Sequence, residues 1–156
     1  MWVASSGAGA TSRAVWLADG AGGSAVAIAH GGSLRAQFSP DGRSLYVRHD
    51  DEPFALGWFD LAASPPVENF LSINRGPSGV LGNRRALFID HYNAQDGSGE
   101  LVLVEPATGT RRSLARAVTD VAVAGAADGE GTDLAYAVRG RGNSSRDGLW
   151  LTTLPP

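Results

Sequence analysis

The chain has 156 residues, the size of one domain, and a compact domain of this length buries roughly 68–70% of its unfolded surface. Its formal net charge of −3 provides no basic field for nucleic acid. It has no cysteine, which excludes a disulfide framework, a thiolate metal site and a cysteine nucleophile. No apolar run approaches the ~20 residues that span a bilayer, so we expect no membrane insertion.

Twenty-one glycines and 8 prolines are spread along the chain, which favours many short strands joined by tight turns. Alternating, β-branched and aromatic segments predict those strands in four successive units. The approximate units are 1–31, 32–74, 75–116 and 117–156, of which the first and last are partial. The predicted strands, in chain order, are WVASS, AVWLA and AVAIA; LRAQF, SLYVRH, ALGWFDL and VENFLSI; SGVLG, ALFIDHY, ELVLVE and RRSLA; and TDVAVAG, DLAYAVR and LWLTTL.

Two blocks of sequence recur along the chain. The segment SPDGRSLYVRHD (39–50) aligns with residues 82–93 and 127–140, which places Tyr46, Phe88 and Tyr136 at one position. In a second block Asp19, Asp60, Glu105 and Thr153 coincide. Both blocks repeat at a spacing close to the ~40–50 residues of a four-stranded propeller blade. The sequence therefore predicts an all-β propeller segment of four-stranded antiparallel blades that forms an incomplete ring.

The same residues carry a family resemblance. AQFSPDGRSLYV followed by GWFDLAASP, and ELVLVEPATGTRRSLA, resemble blades of the TolB-like β-propellers, a WD-repeat-like architecture. The family's repeats contain an F-S-P-D-G hairpin and then a strand that ends in a turn. The resemblance implies a propeller fold, which serves periplasmic binding proteins, sensor ectodomains and the lids of prolyl oligopeptidase-type peptidases. It favours a periplasmic or otherwise extracytoplasmic location.

Functional residues concentrate on loops held by a rigid scaffold. If the strands in each unit are called a to d, the longer b–c loops and the d–a links fall on one face of the ring. We call this the loop face, and we expect a protein or peptide partner to bind there. The candidate binding residues on this face are His30, His49, Asp50, Asp51, Arg75, His91, Tyr92, Arg116, Arg139 and Arg141. The arginines suit an acidic peptide or a carboxylate.

For each group of residues that could bind a metal or catalyse a reaction, a purely structural role is the simpler hypothesis. His49 with Asp50 and Asp51 has ligand types for a divalent ion, but adjacent carboxylates in a loop seldom converge without further ligands. His91 beside Asp90 resembles a base and its orienter, yet strand alternation predicts that neighbouring side chains lie on opposite faces. There is no G-x-S-x-G nucleophile elbow. We therefore expect no catalytic residue, metal or cofactor in this chain.

Two functions remain open. The first is a non-catalytic scaffold for protein interaction or ligand docking, with self-association through open blade edges as one form of partnership. The second is a part of the propeller lid of a peptidase whose hydrolase domain lies outside this chain.

Overall fold

The computed structural model describes residues 2–6, 13–18, 24–51, 54–73, 79–82, 84–124, 133–139 and 147–154. These residues form thirteen strands and no helix, so none of them belongs to a helix that could cross a membrane. All strand pairings with a described register are antiparallel. The predicted all-β class is confirmed. The chain divides into two compact units, Met1–Leu71 and Ser72–Pro156.

The first unit contains two sheets in which each strand pairs with its successor, except that the last two residues of β7, from Ser72, belong to the second unit. The three-stranded sheet has the order β1 (Trp2–Ser6), β2 (Arg13–Ala18) and β3 (Val26–Gly31). The four-stranded sheet has the order β4 (Leu34–Phe38), β5 (Ser44–His49), β6 (Ala55–Asp60) and β7 (Asn69–Ile73). The strands predicted from sequence lie within two residues of these bounds. Period-2 alternation and turn residues were thus sufficient to locate them.

The SPDG turn between β4 and β5 forms as its residues predict. Gly42 has φ +70°, a conformation that glycine adopts without the steric cost a Cβ would add. The Asp41 carboxylate accepts a hydrogen bond from the Ser39 hydroxyl (2.6 Å) and from the backbone N–H of Arg43 (3.1 Å). These bonds, the first above all, lower the pKa of Asp41. The turn fixes the β4–β5 register, in which Gln37 pairs with Tyr46.

The second unit contains one six-stranded sheet. Its order is β13 (Gly148–Thr153), β12 (Asp133–Val138), β11 (Thr110–Val123), β10 (Ser98–Glu105), β9 (Ala86–Asn93) and β8 (Gly79–Leu81). The predicted strands RRSLA and TDVAVAG are two halves of one strand, β11. The first half pairs with β10 and the second with β12. Ala117, with φ +55°, lies where the pairing changes, at the predicted boundary between residues 116 and 117.

Each unit has its own apolar core. In the first, buried residues of both sheets meet: Val15, Ala29, Leu34, Leu45, Val47 and Phe59. In the second, one face of the six-stranded sheet supplies the buried cluster Leu87, Ile89, Leu101, Leu103, Val118, Leu134 and Leu154. The three aromatic residues aligned by the repeat pair with apolar residues on the next strand. Tyr46 pairs with Trp58, Phe88 with Val102, and Tyr136 with Trp150.

Replacing Phe59 by alanine tests the core of the first unit. The Phe59 side chain is fully buried, so Phe59→Ala should lower the free energy of unfolding by about 3–5 kcal/mol through lost transfer energy and a residual cavity. Phe54 is 37% exposed and provides the matched control, Phe54→Ala, which should have a much smaller effect. Urea unfolding followed by circular dichroism measures both. Equal midpoints for the two variants would contradict the assigned core.

Candidate functional site

His49, at the end of β5, forms a half-buried polar pair. Its Nε2 lies 2.7 Å from Oε1 of Glu68, and its ring lies against Phe70 with centroids 5.6 Å apart. Gly57 provides the space for the Glu68 carboxylate, because a Cβ at this position would collide with Glu68 Oε1. Glu68 and Phe70 were not candidates from sequence, since no local pattern connects them to a residue about twenty positions earlier. The pair fixes the imidazole against β7.

The two aspartates after His49 bind groups of their own unit. Asp50 forms ion pairs with Arg35 (Nε to Oδ2, 2.9 Å) and Arg48 (NH2 to Oδ1, 3.3 Å). Asp51 accepts hydrogen bonds from the backbone N–H groups of Gly32 (2.9 Å) and Ser33 (3.3 Å). The bond from Gly32 is the main cause of a lowered pKa at Asp51. These carboxylates therefore hold the β3–β4 link and the end of β5 together.

His30, on β3, is an exposed residue. Among the residues that the structure describes, no group of three or more His, Asp or Glu side chains is placed to hold a metal ion.

Asp90 is the centre of a second polar cluster, on β9. It is 3% exposed, and its carboxylate contacts the Ser72 hydroxyl and the Arg111 guanidinium at short range. Arg111 also lies over the ring of Phe88, 6.0 Å from its centroid. Ser72 and Arg111 were missed from sequence, because they lie on other strands, 18 and 21 positions away from Asp90 along the chain. A buried carboxylate needs such partners to offset its desolvation.

Strand alternation predicted a poor pairing of His91 with Asp90, but the structure places the two side chains in contact. His91 Nδ1 lies 3.4 Å from Asp90 Oδ2, while the His91 side chain is 78% exposed. The cause is a β-bulge: the β9–β10 register shifts between the pairs Glu100–Asp90 and Ser98–Asn93, and His91 has φ +49°. Bulges redirect side chains in this way. Gly99 permits the bulge, since a Cβ there would collide with the carbonyl oxygen of Asp90.

The remaining loop-face candidates are spread along the second unit. Tyr92 is half-buried against the core cluster of this unit. Arg116 is 88% exposed, with its Nε 3.9 Å from Glu100 Oε1. Arg139 is exposed, and its backbone N–H donates to the carbonyl of Ala117 (2.9 Å). Arg75 and Arg141 lie outside the described residues.

An apolar surface on the second unit was not foreseen. Strand pairing sets Leu151, Ala135 and Ala122 side by side across β13, β12 and β11, and places Leu149 beside Ala137 in the next row. Leu149 is 72% exposed and Leu151 78%. We call these five residues the apolar face. An open hollow of about 600 Å³ adjoins it, with Leu151 and Ala122 in its wall and Asp133 at one end. Trp150, between the two leucines in β13, is 44% exposed.

Comparison with models of known protein families, with curated proteins and with solved structures finds no significant match to this chain. The contacts and surfaces described above are therefore the basis for inferring its function.

Removing the cation beside Asp90 should destabilise the second unit. Arg111→Leu leaves a buried carboxylate with one strong partner fewer, and we expect a loss of about 1–3 kcal/mol in the free energy of unfolding. Arg112→Leu is the matched control, since Arg112 is the exposed next residue of the same strand. Adding Asp90→Asn to Arg111→Leu should recover part of the loss by removing the buried charge. Equal urea midpoints for the two arginine variants would contradict this role of Arg111.

The Asp51 hydrogen bonds predict a pH dependence of stability. Because the pKa of Asp51 is lower in the folded chain than its ordinary value, the folded state binds fewer protons, and stability is lost as the pH falls through the folded pKa. Asp51→Asn removes this titration. The fall in urea midpoint between about pH 5 and pH 2 should therefore be smaller for the variant than for the wild type. Identical falls would show that these bonds do not contribute to folding.

Proposed function

We propose that this chain is a β-propeller segment acting as a non-catalytic scaffold that docks a protein or peptide partner. The repeated pairing of Tyr46 with Trp58, Phe88 with Val102 and Tyr136 with Trp150 supports the blade-like repeat. So does the strand order of the four-stranded sheet, in which each strand neighbours its successor. A scaffold role suits sheets in which most of the described side chains pack against, or form hydrogen bonds with, residues of the same fold.

The observation that carries the docking role is the exposure of the apolar face. Contiguous exposed apolar surface is costly in water and typically marks an interaction site. Leu149 and Leu151 project from one side of an edge strand, and the neighbouring alanines leave a shallow floor beside them. An extended partner segment adds main-chain hydrogen bonds at such an edge, while alternate side chains enter hollows on the sheet.

The charged candidates of the first unit support the same choice of surface. His49, Asp50 and Asp51 contact Glu68, two arginines and two backbone N–H groups of their own unit. A ligand that bound these groups would first have to displace those contacts. At Asp90, the carboxylate and the Ser72 hydroxyl that donates to it are both buried, which suits a pair that holds the fold together and does not reach a ligand.

An array of immobilised seven-residue peptides with alternating apolar residues tests the docking role. The wild-type chain should retain a subset of these peptides, and Leu149→Ser with Leu151→Ser should weaken their binding about tenfold or more, since two apolar anchors are lost. The matched control is Val67→Ser with Phe70→Ser, which alters two exposed apolar residues of the other unit. Equal binding by both double variants, or no binding by the wild type, would refute docking at the apolar face.

A further inference from the structure

Among the strands that the structure describes, β13 is an edge of the six-stranded sheet, and its own residues do not include the usual protection of an edge. Its sequence, Gly-Leu-Trp-Leu-Thr-Thr, contains no charge and no proline, the two devices that most often prevent one sheet edge from pairing with another. The other edge strand of this sheet, β8, is only three residues long. Of these two edge strands, β13 is therefore the one that is better suited to pairing with a strand of another chain.

The symmetry of β13 indicates what pairs with it. The segment Leu149–Leu151 reads the same in both directions, as Leu-Trp-Leu. When two copies pair antiparallel about a two-fold axis perpendicular to the sheet, equivalent faces of the two sheets lie on the same side. An axis at residue 150 then places Leu149 of each copy opposite Leu151 of the other. A second copy thus matches this edge residue for residue.

We propose that two copies of the chain pair through β13 in this antiparallel register and join their six-stranded sheets into one sheet. The inference rests on the proposed docking function and names its partner, a second copy. Four leucines, two from each chain, then cover one another on the apolar face. Cross-strand apolar pairs of this kind stabilise a sheet and remove exposed leucine from water.

The interface is small. A single strand pair buries less than the ~800 Å² per partner of a standard stable complex, so we expect a dimer that dissociates on dilution. Light scattering behind size exclusion over a range of concentrations should show a mass rising from 16.1 kDa towards twice that value. Leu149→Asp with Leu151→Asp should keep the mass at that of one chain, whereas Val67→Asp with Phe70→Asp should leave the rise unchanged.

Cysteine cross-linking tests the register, because the natural chain has no cysteine. Leu149→Cys and Leu151→Cys chains, mixed and oxidised with diamide, should form a disulfide-linked heterodimer, while each variant alone should remain mostly uncross-linked. Efficient self-linking of Leu151→Cys would show pairing centred one residue later and would overturn the proposed register. Circular dichroism of each variant confirms that it folds.

The outcomes separate this inference from the docking function on which it rests. A wild-type chain that stays at the mass of one copy at the highest concentration overturns the dimer. The dimer is also overturned if the Leu149→Asp with Leu151→Asp variant shows the same rise in mass as the wild type. If peptides still bind the apolar face in either case, docking stands with a different partner. If neither copies nor peptides bind, both proposals fail.

Discussion

Every strand in this protein depends on a neighbour for half of its backbone hydrogen bonds. In the described sheets, all neighbouring strands are consecutive along the chain, so each of these sheets is a series of hairpins. The same rule leaves two edges on each open sheet, with backbone groups that point away from it. Turns, apolar cores and polar clusters determine the register of the strands within each sheet. The edges determine whether a further strand can pair with the sheet.

The polar residues that look most reactive in the sequence belong to this hairpin scaffold. Asp51 binds the backbone of the β3–β4 link, Glu68 holds His49 against β7, and Arg111 compensates the buried charge of Asp90. Each of these side chains contacts a residue that is not its backbone pairing partner in a sheet. At these three places, charged side chains hold together parts of the chain that are distant in sequence. Apolar side chains, in contrast, are left on the surface at β13.

The sequence predicted local structure well because the signals are local. Alternation located β4 and β5 to the residue, and the Ser-Pro-Asp-Gly segment specified its own turn. The predictions from sequence were wrong where the backbone conformation of a single residue determined a side-chain contact or the extent of a strand. A left-handed conformation at His91 brought two neighbouring side chains together, and another at Ala117 lies within a strand that was predicted as two. Neither residue is a glycine, so the residue type did not predict a positive φ at either position.

The apolar face, where we propose docking, was missed for a related reason. The partial last unit predicted an open blade edge, but apolar residues in β13 have the pattern of a core strand, so the exposure of one of its faces was not predicted. Only the register across β11, β12 and β13 shows that Leu149 and Leu151 share a face with alanines and are exposed to water. The partners of Asp90 were hidden in the same way, since they come from strands distant in sequence.

Strand β11 has a consequence for how this sheet opens. Its fourteen residues pair with β10 through one half and with β12 through the other, so a single segment of backbone belongs to both hairpins. Two sheets with separate strands could unfold one at a time, each as its own cooperative unit. Here, pulling β11 out of the sheet would break both sets of hydrogen bonds. The sharing of one strand thus links the stability of β9 and β10 to that of the hairpin carrying the apolar face.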